Sequence, residues 1–200
     1  MNDTDDPAAR GLVRGADGRL RPHWACSSEL LRDYYDHEWG RPVTDERGLF
    51  ERICLEGFQA GLSWETILRK RPAFREAFAG FDPEVLADWG DADADRLLAG
   101  SGIIRNRAKI RAVFANARAT LALRESGGLP RLVLSFTPAA WTPPDSAAEQ
   151  PTTSPESITL AKALKKVGFS FVGPTTCFAL MEAVGMVDNR IRDASGLIDP

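Results

Sequence analysis

Residues 97–111 read LLAGSGIIRNRAKIR. The spacing predicts a helix that ends at Gly100, a hairpin in which Gly100 and Gly102 bracket Ser101, and a long helix starting immediately after Gly102. Glycine reaches backbone conformations that other residues resist, which suits so short a link. Amides left bare at the start of the second helix can hold a phosphate. Arg105, Arg107, Lys109 and Arg111 add positive charge in its first turns. Two readings fit the spacing: a phosphate-gripping hairpin, or a tight corner of two helices whose basic residues form a solvated face.

The same helix punctuation recurs on both sides of this stretch. Ser27 or Ser28 can cap a helix carrying Leu30, Leu31, Tyr34 and Tyr35, stopped near Gly40. Thr44 and Asp45 open the next, with Leu49, Phe50, Ile53, Cys54 and Gly57 on one face and Gly61 beyond its end. Ser63 can cap a short helix through Leu68, and Pro72 suits the first position of another that holds Phe74 and Phe78 and closes at Gly80. Asp82-Pro83-Glu84 is a further start. The clearest helix spans about 104–124, where Ile110, Val113, Phe114, Ala117 and Leu121 recur at helical spacing before Gly127 and Gly128. Residues 138–155 are a proline-rich loop, and two more helices follow, one ended by Gly168 and one running from Pro174 to Gly185. No segment sustains strand-like alternation, so the expected class is all-α. Residues 1–20 read as a mobile tail and 21–200 as a single domain.

Of the 200 residues, 44% are hydrophobic, enough to oppose chain entropy and exclude general disorder. The most apolar stretch, Phe178 to Val187, is interrupted by Glu182 and is far shorter than the roughly 20 residues a spanning helix needs, so no membrane partner is expected. Asp3, Asp5 and Asp6 without a long apolar run are unlike a secretory signal. Cys26, Cys54 and Cys177 have no CxxC spacing and read as reduced thiols of a cytoplasmic protein. The net charge of -3 does not advertise a nucleic-acid binder, but it does not govern a local footprint either.

Two groups of residues could carry chemistry. Trp24, Tyr34, Tyr35, Trp39 and Trp64 are large rings drawn from a short interval. Such rings can stack a planar base or attract a cationic one, and equally they can be core. Glu56 sits at the border of its helix's apolar stripe, where a carboxylate tends to be paired or functional. Arg52, one turn earlier, is the obvious structural partner.

Four segments in order, DYYDHEWG (33–40), LFERICLEGFQAGLSW (49–64), GIIRNRAKIRAVFANA (102–117) and KALKKVGFSFVGPTT (162–176), closely resemble the 3-methyladenine DNA glycosylase I family, and the likeness covers Trp24 to about Arg190. The resemblance implies the helix-hairpin-helix DNA glycosylase fold, with the motif around 97–111. It implies hydrolysis of the N-glycosidic bond of 3-methyladenine in alkylated double-stranded DNA, by a monofunctional, monomeric base-excision repair enzyme that flips the base and uses water as nucleophile. Matched by motif position, Glu56 reads the flipped base, and Tyr34, Trp39, Trp64 and Trp24 line its pocket. Gly61 and Leu62 enter the space the nucleotide vacates. Gly100 and Gly102 grip the backbone, with Arg105 and Lys109 beside them. No acidic residue lies between Asp95 and Glu125, so the downstream aspartate of many helix-hairpin-helix glycosylases is missing, as in this family.

Two positions depart from the family pattern. Many members hold a structural zinc near the chain ends, but the matching positions here are Pro22, Tyr35, Arg190 and Ala194, none of them a competent ligand. No zinc or other cofactor is therefore expected, and packing or ion pairs, for instance from Arg190 and Arg192 to acidic residues, are the expected substitute. Leu31 stands where some members have a pocket tyrosine, which would loosen the pocket. The rival reading is a non-catalytic DNA-binding module in which the rings are core, although such a module would have no use for Glu56.

Overall fold

The structure is a computed structural model and describes residues 6–100 and 102–197. Local capping accounts for where its helices begin. In α1 (Glu29–His37) the Ser28 side chain accepts from the Leu31 amide at 3.3 Å, and in α2 (Glu46–Gln59) Asp45 accepts from the Gly48 amide at 2.8 Å. Ser63 caps α3 (Trp64–Ala77), and Asp82 caps α4 (Pro83–Ala87), which has Pro83 in its first turn. After α5 (Asp91–Gly100), Asn106 caps α6 (Arg107–Leu123), accepting from the Lys109 amide at 3.1 Å. Then come α7 (Gly128–Leu134), α8 (Pro155–Lys166) with a reciprocal Ser154–Ser157 capping box, and α9 (Pro174–Ala183). The all-α class holds, with α5 and α6 as the two arms of the helix-hairpin-helix.

Four details differ from the sequence reading. Leu12–Arg14 (β1) pairs antiparallel with Leu20–Pro22 (β2), so part of the stretch read as a mobile tail is a small hairpin. Three-residue strands are too short to show alternation, and so small a hairpin needs help from elsewhere. Here the Leu20 carbonyl and amide bond the Ser195 amide and hydroxyl. The rest of the tail reading, at residues 1–5, lies outside the described residues. The second difference is that α3 runs unbroken through Pro72, the residue expected to open a separate helix. Proline's φ suits a helix, but inside one it removes an amide donor and its ring crowds the carbonyl four residues back, a cost that the packing of α3 offsets. Third, α6 starts at Arg107 rather than directly after Gly102, since Asn106 is the better cap. Fourth, Gly128 opens α7 rather than only ending its predecessor.

The chain gathers into two compact units. One takes in the chain up to Pro42, Pro138–Thr152 and the chain from Met181 on; the other is Val43–Thr137 with Thr153–Leu180. The second unit is built on α2, which packs against α3, α6 and α7. Its core includes Phe58, Phe74, Phe78 and Phe81, with ring centroids 4.6 Å apart for Phe58–Phe74 and 5.7 Å for Phe78–Phe81. The first unit holds the β1–β2 hairpin and α1. Arg21 of β2, 2% exposed, bonds both carboxylate oxygens of Asp36 in α1, at 2.8 and 2.7 Å, and also Asp17.

Candidate active site

In the second unit, the side of α2 that carries Glu56 ends in a short turn. Ala60 has φ -46° and ψ 112°, Gly61 has φ +82°, and the Leu62 amide donates to the Gln59 carbonyl at 2.6 Å. This is a type II turn, whose third residue needs the left-handed region that favours glycine. Nothing lies within 4 Å of where a Cβ on Gly61 would stand, so backbone conformation alone selects glycine there. The turn leaves Leu62 exposed (39%), and Ser63 then starts α3. Glu56, 4% exposed, shares a hollow of about 270 Å³ with Gln59, Ala60, Gly61, Leu62 and, from α9, Thr175, Thr176 and Ala179. The structure thus brings together three residues singled out in the sequence: Glu56, Gly61 and Leu62. Trp64, the first residue of α3, is half-buried.

The hairpin after α5 has Gly102 at φ +74°, its carbonyl accepting from Lys70 at 2.7 Å. Gly100 and Gly102 line an open hollow with Glu76, Arg96 and Leu97. The basic group expected to face phosphate is not one surface. Arg105 is exposed and has no carboxylate partner among the described residues. Arg107 pairs with Asp95, and Arg111 with Asp91 at 2.7 Å. Lys109 departs most from its expected place at the DNA. It is 8% exposed, and its ammonium donates to the Phe58 carbonyl at 2.8 Å and the Ala60 carbonyl at 2.6 Å. Its spacing places it on the face of α6 turned toward α2, so it meets the carbonyls at the end of α2 instead of solvent. Burial pulls its pKa below the ordinary lysine value.

In the first unit, Trp24 and Trp39 lie with Tyr35 in one ring cluster. Centroids are 5.6 Å apart for Trp24–Trp39, 5.5 Å for Trp24–Tyr35 and 5.6 Å for Tyr35–Trp39. Tyr34 is buried. Leu31, expected to loosen the pocket, is buried in α1. The residues standing at the family's zinc positions do other work. The Tyr35 hydroxyl donates to the Ser195 carbonyl at 3.1 Å. Arg190 lies 5.4 Å from the Tyr35 ring centroid and 5.0 Å from that of Trp39, and it bonds the Trp39 carbonyl and the Asp188 carboxylate. A guanidinium at this place repels a metal cation, and Pro22 has no side-chain donor, so these residues do not fit zinc. Among the described residues no group of three or more His, Cys, Asp or Glu is placed to hold a metal ion. Arg192 does pair with an acidic residue, Asp145, at 2.5 Å. Burial pushes the Tyr35 hydroxyl up to about 12, against the opposing pull of Arg190.

Sequence reasoning missed Thr175 and Thr176 as walls of the hollow and the service of Lys109 to α2. A hydroxyl at a helix start carries no distinctive pattern, and a lysine on a basic helix face looks like its neighbours. Residues 24–196 match the methyladenine glycosylase family. The chain is 45% identical over 174 residues to a DNA-3-methyladenine glycosylase of Haemophilus influenzae, covering 85% of this chain and 94% of that protein. It is 44% identical over 171 residues to DNA-3-methyladenine glycosylase 1 of Escherichia coli, covering 84% and 91%. A crystal structure of a 3-methyladenine DNA glycosylase I superposes with a TM-score of 0.84 at 46% identity, over 89% of this chain and all of the other.

Proposed function

Since the chain belongs to the methyladenine glycosylase family, we propose that Glu56 reads the everted base and that the Gly61–Leu62 turn fills the gap it leaves. The protein is a base-excision repair glycosylase: it hydrolyses the N-glycosidic bond of 3-methyladenine in DNA after flipping the damaged nucleotide out. Methylation at N3 makes the purine cationic and weakens its bond to the sugar. The base leaves neutral, so protonating it is less necessary than for an undamaged purine. What remains is to evert the nucleotide, hold the ring and stabilise a sugar that becomes oxocarbenium-like. An ionised Glu56 accepts from the exocyclic amine and favours a cationic ring over a neutral one. Trp64, the first residue of α3, supplies a ring face. Water is the nucleophile and an abasic site the product, with no strand cleavage. Gly100, Gly102 and Arg105 hold the backbone of the duplex. The enzyme works as a monomer in the cytoplasm, at the nucleoid.

The observation that supports this assignment of roles is Glu56 itself, a carboxylate 4% exposed that opens into the hollow beside Gly61 and Leu62. Chromatography of bases liberated from methylated duplex tests it. The native chain releases 3-methyladenine, and Glu56→Gln lowers the rate by about 100-fold or more while duplex affinity survives. Duplex binding without base release by the native chain favours the non-catalytic module instead.

A further inference from the structure

Two main-chain carbonyls, those of Phe58 and Ala60, converge on one ammonium at the end of α2. The first belongs to the last turn of the helix, where carbonyls lack an intrahelical donor; the second is at the corner residue of the type II turn. Their donor is Lys109, whose own backbone amide is held by the Asn106 cap, so its Cα sits on the rigid first turn of α6. A lysine ammonium is a compact donor of three hydrogen bonds and can serve acceptors that do not lie in one plane. Removing this one from water has a cost, visible in its lowered pKa, which a residue serving only as a phosphate contact would avoid by staying exposed. The charge also lies at the carboxyl end of α2, where the helix dipole favours a cation.

The geometry points to Lys109 as a positioning residue that staples the Ala60–Leu62 turn in its projecting conformation, so that Leu62 is presented to DNA already in place. This rests on the reading of Gly61 and Leu62 given above. Without the staple the turn keeps its Gln59–Leu62 hydrogen bond, but two carbonyls are left to find water, and the turn samples other conformations. Lys109 touches no substrate in this role; it acts through Leu62.

A double-mutant cycle on base release from methylated duplex tests the role, with variants Lys109→Met, Leu62→Ala and both together. Each single variant is expected to lower kcat/KM by about 10-fold or more, since small misplacements at a reaction centre have effects of that size. The double variant is expected to be no worse than the poorer single one. Far-UV circular dichroism and a cooperative thermal melt are kept in each variant, which reports an intact fold. The salt dependence of duplex affinity keeps the parent slope in Lys109→Met, whereas Arg105→Ala reduces it by about 0.9, the effect of one lost phosphate contact. Lys109→Arg keeps the charge but replaces the compact ammonium with a planar fork, and is expected to be impaired as well. Multiplying effects in the double variant, a reduced salt slope in Lys109→Met or native behaviour of Lys109→Arg would assign Lys109 to phosphate and overturn the staple. Native activity of Lys109→Met alongside an impaired Leu62→Ala refutes the staple alone. A parent chain that releases no base refutes the underlying reading instead.

Discussion

Arg21 in the first unit and Lys109 in the second are both buried cations, 2% and 8% exposed, but their partners differ in kind. Arg21 meets full negative charge, with both oxygens of the buried Asp36 and the exposed Asp17 around its fork. Those carboxylates raise its pKa, and Arg21 in turn holds Asp17 well below the usual carboxylate range. Among the described residues Lys109 meets carbonyl dipoles, which solvate an ammonium without neutralising it, and burial lowers its pKa. Arg190 lies between these cases, with two ring faces, one carbonyl and one carboxylate. The paired cation locks a hairpin and a helix together. The dipole-solvated one instead shapes main chain directly, because its acceptors are the backbone of the turn.

Breaking the pairing should have the largest effect. Arg21→Met strands a buried carboxylate and is expected to lower stability by about 3–5 kcal/mol, or roughly 10 °C in Tm by thermal circular dichroism. Replacing Asp36 with leucine in the same chain should recover part of that loss. The comparison sharpens at a half-buried carboxyl with no cation in its hydrogen bond. Glu182 accepts from the Asn189 amide at 2.5 Å, and burial pushes its pKa from an ordinary 4.5 up to about 7. Between those values the folded chain holds a proton that the unfolded chain has released. This group's contribution therefore falls as pH rises from about 4.5 to about 7 and is level above. Denaturant titrations across that range should show the slope, and Glu182→Gln should remove it and be the more stable chain above pH 7, by up to about 3 kcal/mol. The smallest effect belongs to the site where relatives of this family would place zinc. Arg190→Met should cost about 1–2 kcal/mol, the scale of a desolvated cation–π contact, and a chelator should leave the Tm of the parent chain unchanged.

Much of the fold was legible because it is local. Ser28, Asp45, Ser63 and Asp82 each cap a helix through a side chain and an amide two or three residues away, and such pairs can be read along a line of sequence. The candidate site was legible for the same reason where it is local. Glu56 lies at the edge of an apolar stripe, and Gly61 holds the place in the turn that a glycine must fill. Legibility failed where a residue's task depends on a distant partner. The β1–β2 hairpin leans on Ser195, some 175 residues away, and no spacing rule spans that interval. The division into two units is equally silent in the sequence, since the chain passes between them more than once.

The basic group on α6 draws the line most clearly. The sequence by itself determined that four cations fall between 105 and 111 on a helix opening, and that a glycine turn follows the carboxylate of α2. Only the tertiary structure decided that Arg107 and Arg111 answer acidic residues of α5, that Arg105 stays in solvent, and that Lys109 holds main chain. The physical reason is that helical propensity and capping depend on neighbours a few residues away, whereas the partner of a charge depends on which surfaces packing brings within hydrogen-bond reach.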